Sequence, residues 1–116
     1  KGTLNELLLG KCSINDERAG FLADALQHND TLEILSLFSN EIKIDGACYL
    51  ASKLKENNTL KELFLQHNCI KDDGATAVAE ALQCNKTLEE LWLGENSIGD
   101  LGAKSLAETL SKNNHL

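Results

Sequence analysis

Apolar residues recur along this chain in a pattern that repeats every 28 positions. Shifted by that period, the sequence aligns with itself as four copies, 3–30, 31–58, 59–86 and 87–114, each opening on a threonine, with His115 and Leu116 in the first slots of a fifth. Eight columns are apolar in every copy; in the third they are Leu60, Leu63, Leu65, Ile70, Ala75, Val78, Ala79 and Leu82. Two periodicities follow each other within a copy. Leu63 and Leu65 alternate with Glu62, Phe64 and Gln66, which predicts a short strand with one buried face. Ala75, Val78, Ala79 and Leu82 stand at i, i+3, i+4 and i+7, which predicts a helix with one apolar stripe. Each copy is expected to supply one strand and one helix.

The polar columns agree with that division. Asp16, Asp72 and Asp100 precede the helical stripes and are expected to act as N-caps, accepting free backbone N–H groups; the second copy has Ile44 there, with Asp45 as the substitute. Asn29, Asn57, Asn85 and Asn113 follow the last helical leucine and are expected to close each helix in the left-handed conformation that asparagine tolerates. A single copy buries too little aliphatic surface to offset the entropy of ordering its own chain. Stacking removes that deficit, because each leucine column continues into the next copy and the strands pair into one parallel sheet. Neighbouring strands lie about 4.8 Å apart, whereas packed helices need about 8–10 Å, so the stack bends with its strands inside. The predicted fold is α/β: a right-handed βα solenoid, sheet concave and helices convex, making a single domain over residues 1–116.

The pattern L-x-x-L-x-L-x-x-N-x-I, carried by Leu60, Leu63, Leu65, Asn68 and Ile70, resembles a leucine-rich repeat. The repeat length and the helix pattern G-A-x-x-L/V-A-x-x-L are similar to the ribonuclease-inhibitor-like class, which includes ribonuclease inhibitor, the activating proteins of Ran-type GTPases and the sensor domains of NOD-like receptors. Ribonuclease inhibitor alternates its repeat length and is richer in cysteine, so the NOD-like receptor type is the closer resemblance, and it covers residues 3–114. The resemblance implies a horseshoe arc in which the asparagine after each strand points inward and bonds the loop backbones as a ladder. That role falls to Asn40, Asn68 and Asn96, with Cys12 as a tolerated replacement in the first copy. The first copy also carries Arg18 where the others have Gly46, Gly74 and Gly102, and is the least regular.

On a concave sheet, residues one period apart become neighbours. The central exposed column is Leu8, Ser36, Phe64, Trp92; before it run Glu6, Ile34, Glu62, Glu90, and after it Gly10, Phe38, Gln66, Gly94, with Lys11, Ser39, His67 and Glu95 beyond. Three of the five aromatic residues fall on this face, although strand geometry does not require apolar groups there. Aromatic anchors among polar groups are what protein interfaces use. Glu6, Leu8, Ser36, Phe38, Glu62, Phe64, Gln66, Glu90 and Trp92 are therefore the candidate partner-binding residues. The glutamates favour a partner with a basic and apolar patch.

Composition narrows the function further. Eleven Lys and Arg against 18 Asp and Glu give a net charge of −7, which opposes nucleic acid and anionic membrane surfaces as partners. No apolar run approaches the roughly 20 residues of a membrane span, and the start is too short and polar for a signal peptide. Cys12, Cys48, Cys69 and Cys84 form no C-x-x-C pair, so metal and redox motifs are absent and a reducing, cytoplasmic setting is expected. His28, His67 and His115 have no convergent base or nucleophile. Asp72-Asp73 lacks calcium-loop spacing, and neighbouring Glu89 and Glu90 point to opposite faces. No enzyme, cofactor or metal is expected. Three N-x-T triplets, from Asn29, Asn57 and Asn85, arise from the repeat itself and would matter only in a secreted chain. Neither end carries a recognisable cap, which predicts a segment of a longer array, a designed or trimmed chain, or end-to-end self-association.

The reading is thus a non-enzymatic recognition module, of the kind used as a sensor region in innate-immune NOD-like receptors, binding a protein partner on the concave face. The alternative is a structural or self-assembling repeat segment with no concave-face ligand. A weaker one is part of a GTPase-activating or ribonuclease-inhibitor-like protein.

Overall fold

The computed structural model describes residues 4–111. Strand and helix alternate four times: β1 (Glu6–Leu8), α1 (Asp16–His28), β2 (Ile34–Ser36), α2 (Ile44–Leu54), β3 (Glu62–Phe64), α3 (Lys71–Cys84), β4 (Glu90–Trp92) and α4 (Asp100–Leu110). The strands form one parallel sheet in sequence order. Its register is set by the period, with Leu7, Leu35, Leu63 and Leu91 paired in turn across the sheet. Each helix packs on the next in the series. The result is a βα solenoid with the sheet on the inner wall and the helices on the outer one.

The core is the set of repeating aliphatic columns. Leu35, Leu37, Leu60, Leu63, Leu65, Ile42 and Ile70 are fully enclosed, and Ala19, Ala47 and Ala75 let successive helices approach closely. Burial falls off towards both ends of the described chain. Leu4 is exposed in the first copy and Leu110 in the last, while their counterparts Leu60 and Leu82 in the third copy are enclosed. Shallow apolar hollows of about 210 and 220 Å³ lie there, the first including Leu4, Leu7 and Leu22, the second Leu91, Leu106 and Leu110.

The aspartates cap helices, but not their own. Asn15, not Asp16, is the N-cap of α1, its side chain accepting from Arg18 N. Asp16 Oδ1 instead accepts from Lys43 N at 2.7 Å, and Asp72 Oδ1 from Gly99 N at 2.7 Å and Gly102 N at 3.0 Å. Each carboxylate thus caps the helix of the following copy, whose own N-cap makes no side-chain bond. The glycine column has the same cause: a β-carbon at Gly102 would stand 2.7 Å from Asp72 Oδ1. Where Ile44 replaces the aspartate, Lys71 has no such acceptor; it adopts φ 58° and donates its N–H to Asn96 O. Asp72→Ala is expected to cost about 1–2 kcal/mol, as for other lost N-caps, and Asp72→Asn much less; thermal unfolding measures the difference.

The asparagine column after each helix is also not left-handed. Asn29 and Asn85 are extended, at φ −83° and −77°, and Asn113 lies outside the described residues. Asn57 Oδ1 accepts from Thr59 N and Leu60 N while its Nδ2 donates to Leu26 O. Asn85 repeats this one copy later, with Thr87 N, Leu88 N and Leu54 O. The column is a hydrogen-bonded ladder along the edge where helices turn back into strands. Asn57 and Asn85 are buried, so a glycan on either is incompatible with this fold. A left-handed residue recurs instead just after each strand, at Lys11, Ser39, His67 and Glu95, with Ser13 and Ser97 between strand and helix and Lys71 at the start of α3 also left-handed.

Candidate functional site

The strands place the candidate residues in direct register. Glu6, Ile34, Glu62 and Glu90 form one row across the sheet, and Leu8, Ser36, Phe64 and Trp92 the next. The ladder continues past the strands, with Ser39 N donating to Gln66 O and His67 N to Gly94 O, both at 2.9 Å. This frame is held at its far edge by the other asparagines. Asn68 Nδ2 donates to Leu37 O and Leu65 O, and its Oδ1 accepts from Ile42 N; Asn40 and Asn96 make the equivalent bonds one copy away. Cys12 is exposed, its thiol reaching only Gly10 O, while its backbone N–H is held by Asn40.

The structure divides the aromatic group. Phe64 and Trp92 stack with ring centroids 5.6 Å apart and planes inclined by 23°. Trp92 remains 51% exposed, and its Nε1–H donates to Glu90 Oε1 at 3.2 Å. Phe38 does not join them: its ring lies over Gly10, so close that a β-carbon there would overlap it. Ser36, expected on the exposed column, is only 7% exposed, and a small hydroxyl between Leu8 and Phe64 has no reach past its larger neighbours. Leu8 is open to solvent. Glu62 and Glu90 are adjacent, whereas Ile34 separates Glu6 from them. Among the described residues, none of the three glutamates makes an ion pair. Gln66 is half-buried and its Oε1 lacks a hydrogen-bond partner.

Two features escaped the reading by columns. Gly94 leaves open space beside Trp92, since a β-carbon there meets nothing within 4 Å; a glycine in an outward-facing strand column is the sequence signal. On the helical wall, Phe21 and Tyr49 occupy one column, both exposed, and Tyr49 Oη donates to Asp24 Oδ1 with Lys53 Nζ 5.2 Å from its ring. The bond to Asp24 raises the Tyr49 pKa above its ordinary value, with desolvation and the Asp24 charge adding to it. The protonated phenol is therefore the form the fold favours, and this contribution is lost as pH rises through the raised value. Titrating the single tyrosine by absorbance should give an ionisation above about 10, and Asp24→Asn should lower it.

Among the described residues, no nucleophile is hydrogen-bonded to a base and an orienting group. Burial, then the charges of Asp45, Asp73 and Glu80, raises the Cys48 pKa and keeps its thiol protonated. Among the described residues no cluster of His, Cys, Asp and Glu could hold a metal ion, and no helix is long and apolar enough to cross a membrane. A hollow of about 440 Å³ opens where Ile44 replaces the capping aspartate, between Asp16, Lys43, Cys69 and Lys71. Among the described residues, the Cys69 thiol on its wall makes no hydrogen bond to a base.

The sequence pattern of the Leucine Rich repeat family matches residues 28–51, 56–79 and 84–107, more than half of the chain. The chain belongs to the leucine-rich repeat family. These leucine-rich repeats are similar to those of the NACHT, LRR and PYD domains-containing protein 9 of Bos taurus, at 46% identity over 43 residues, which is 37% of this chain and 4% of that protein. Among solved structures, actin-binding site 2 of leiomodin-1 superposes with a TM-score of 0.89 at 28% identity, over 97% of this chain and 66% of that one. The C-terminal domain of tropomodulin from Caenorhabditis elegans superposes at 0.59 and 15% identity, over 95% of this chain and 84% of that one, and shares the fold. The chain thus spans a small part of the curated relative and about two thirds of leiomodin-1's solved chain.

Proposed function

We propose that this leucine-rich repeat chain is a non-enzymatic recognition module that binds a protein partner on its concave sheet. The observation that carries this is the stacked Phe64–Trp92 pair, its indole half open to solvent on a face where the fold asks for no apolar group. Rigid aromatic area beside polar groups is the usual composition of an interface hot spot. Leu8, Phe38 and Gln66 extend the surface, and Glu6, Glu62 and Glu90 favour a partner with a basic and apolar patch. Likeness to the NACHT, LRR and PYD protein supports a cytoplasmic, innate-immune sensor setting.

Replacing Phe64 and Trp92 together by alanine should weaken partner binding by about tenfold or more, as for lost hot spots, while far-ultraviolet circular dichroism stays unchanged. Unchanged affinity would remove the concave-face assignment. A more specific reading is that the partner is actin, favoured by the likeness to leiomodin-1's actin-binding site. Co-sedimentation with filaments and a monomer-binding titration test it; binding that survives the double replacement would place any actin contact elsewhere on the surface. Sedimentation over a concentration series tests the self-assembling alternative, which requires the mass to grow through the apolar hollows at the two ends.

A further inference from the structure

We propose that the concave face receives one arginine of the partner, whose main chain crosses over Gly94 and whose side chain lies along Trp92 to reach Glu90 and Glu62. The inference rests on the concave-face reading and narrows it to one chemical group.

Three observations converge. Gly94 stands in the sheet ladder through its bond from His67 N, its φ is not left-handed, and a β-carbon there would meet nothing. The backbone does not require glycine, so the position is an open approach to the sheet. Two residues before Gly94 is the half-exposed indole of Trp92, about 6.6 Å along the strand, a span that an extended arginine side chain covers. At its far end the Glu90 carboxylate already touches the indole Nε1–H, and Glu62 stands beside it in register. The two carboxylates make no ion pair with a described residue, so a cation would relieve their repulsion.

A guanidinium fits this set better than an ammonium. It is planar and stacks on an aromatic face, and its five donors serve two carboxylates at once. The overall charge of −7 steers any cationic partner to the molecule, but only the local arrangement distinguishes arginine.

The test uses the pentapeptide acetyl-Gly-Leu-Arg-Leu-Gly-amide and its citrulline and lysine counterparts. The readouts are fluorescence of the single tryptophan and the Trp92 indole signal in nitrogen–proton spectra. The arginine peptide should bind about fivefold or more tightly than the neutral citrulline peptide, the scale of one desolvated cation–π contact with its ion pair. The Glu62→Gln/Glu90→Gln variant should abolish that difference, and Gly94→Leu should block binding with an unchanged thermal midpoint. Indifference to Gly94→Leu, or no indole response up to about 10 mM, overturns the proposal. Equal responses to arginine and citrulline overturn the cation but leave the concave face as a binding surface, and equal responses to lysine overturn the guanidinium. Spectral changes confined to the helices would remove both readings.

Discussion

Asn68→Ala is expected to lower the free energy of unfolding by about 2–4 kcal/mol, against about 1 kcal/mol for Asn40→Ala. The side chain of Asn68 is buried and bridges two copies, accepting from Ile42 N at 3.0 Å and donating to Leu37 O and Leu65 O, each at 3.0 Å. Truncation does not affect these partners equally. Leu37 O still receives Asn40 Nδ2, and Leu65 O still receives Asn96 Nδ2, so both carbonyls keep a donor. The Ile42 N–H loses its acceptor inside the core, and an orphaned buried donor carries the full desolvation cost. Asn40 holds Cys12 N and Ile14 N in a more open part of the structure, where water replaces the lost bonds. Asn68→Asp is a sharper probe: it keeps the acceptor but turns oxygen towards two carbonyls, and should cost at least as much as alanine. Urea unfolding of the three variants measures these differences. Equal losses at positions 40 and 68 would mean that the ladder does not depend on burial.

Most of the fold is legible in the sequence because one error-correcting regularity, the period, is written four times. The alternation at Leu63 and Leu65 and the helical spacing at Ala75, Val78, Ala79 and Leu82 locate β3 and α3, and the shift by 28 places the rest. What local patterns miss is which copy a polar group serves. Asp72 stands where an N-cap belongs, yet its acceptor oxygen goes to Gly99 and Gly102 of the next copy. Capping propensity is a statement about one helix, and in a stack the nearest free N–H groups belong to a neighbour. Asn57 and Asn85 fail the sequence rule for the same reason: their place after a helix suggests a left-handed residue, while their contacts cross to Leu26 and Leu54 of the preceding copy. On the concave face, columns tell which residues share a row but not how each ring tilts. Phe38 leans over Gly10 because glycine leaves room there, and Phe64 meets Trp92 instead. Ser36 is lost to the surface through the size of its column neighbours Leu8 and Phe64, a consequence that reading each residue of the column as exposed overlooks.

Leu63→Ala is expected to cost about 3–5 kcal/mol and Leu91→Ala about half of that, although both are inward leucines of paired strands. Leu63 is completely buried between β2 and β4, whereas Leu91 on β4 is only half-buried, with described chain on one side alone. In a stack whose stability is a sum of nearest-neighbour interfaces, a cavity at Leu63 weakens two interfaces and a cavity at Leu91 one. The consequence goes beyond magnitude. Loss at β3 uncouples the array in its middle, so the whole chain should unfold at lower urea with its two probes in step. Loss at β4 should let the last copy open first, so that Trp92 fluorescence changes at lower urea than the helical circular dichroism and the apparent cooperativity falls. Because Trp92 sits on β4 itself, that early opening is also a test of the binding face: the Leu91→Ala variant should lose partner affinity at temperatures where most of its helix signal remains. Coincident transitions in Leu91→Ala, or equal costs at the two leucines, would show that the four copies fold as one indivisible core rather than as stacked units.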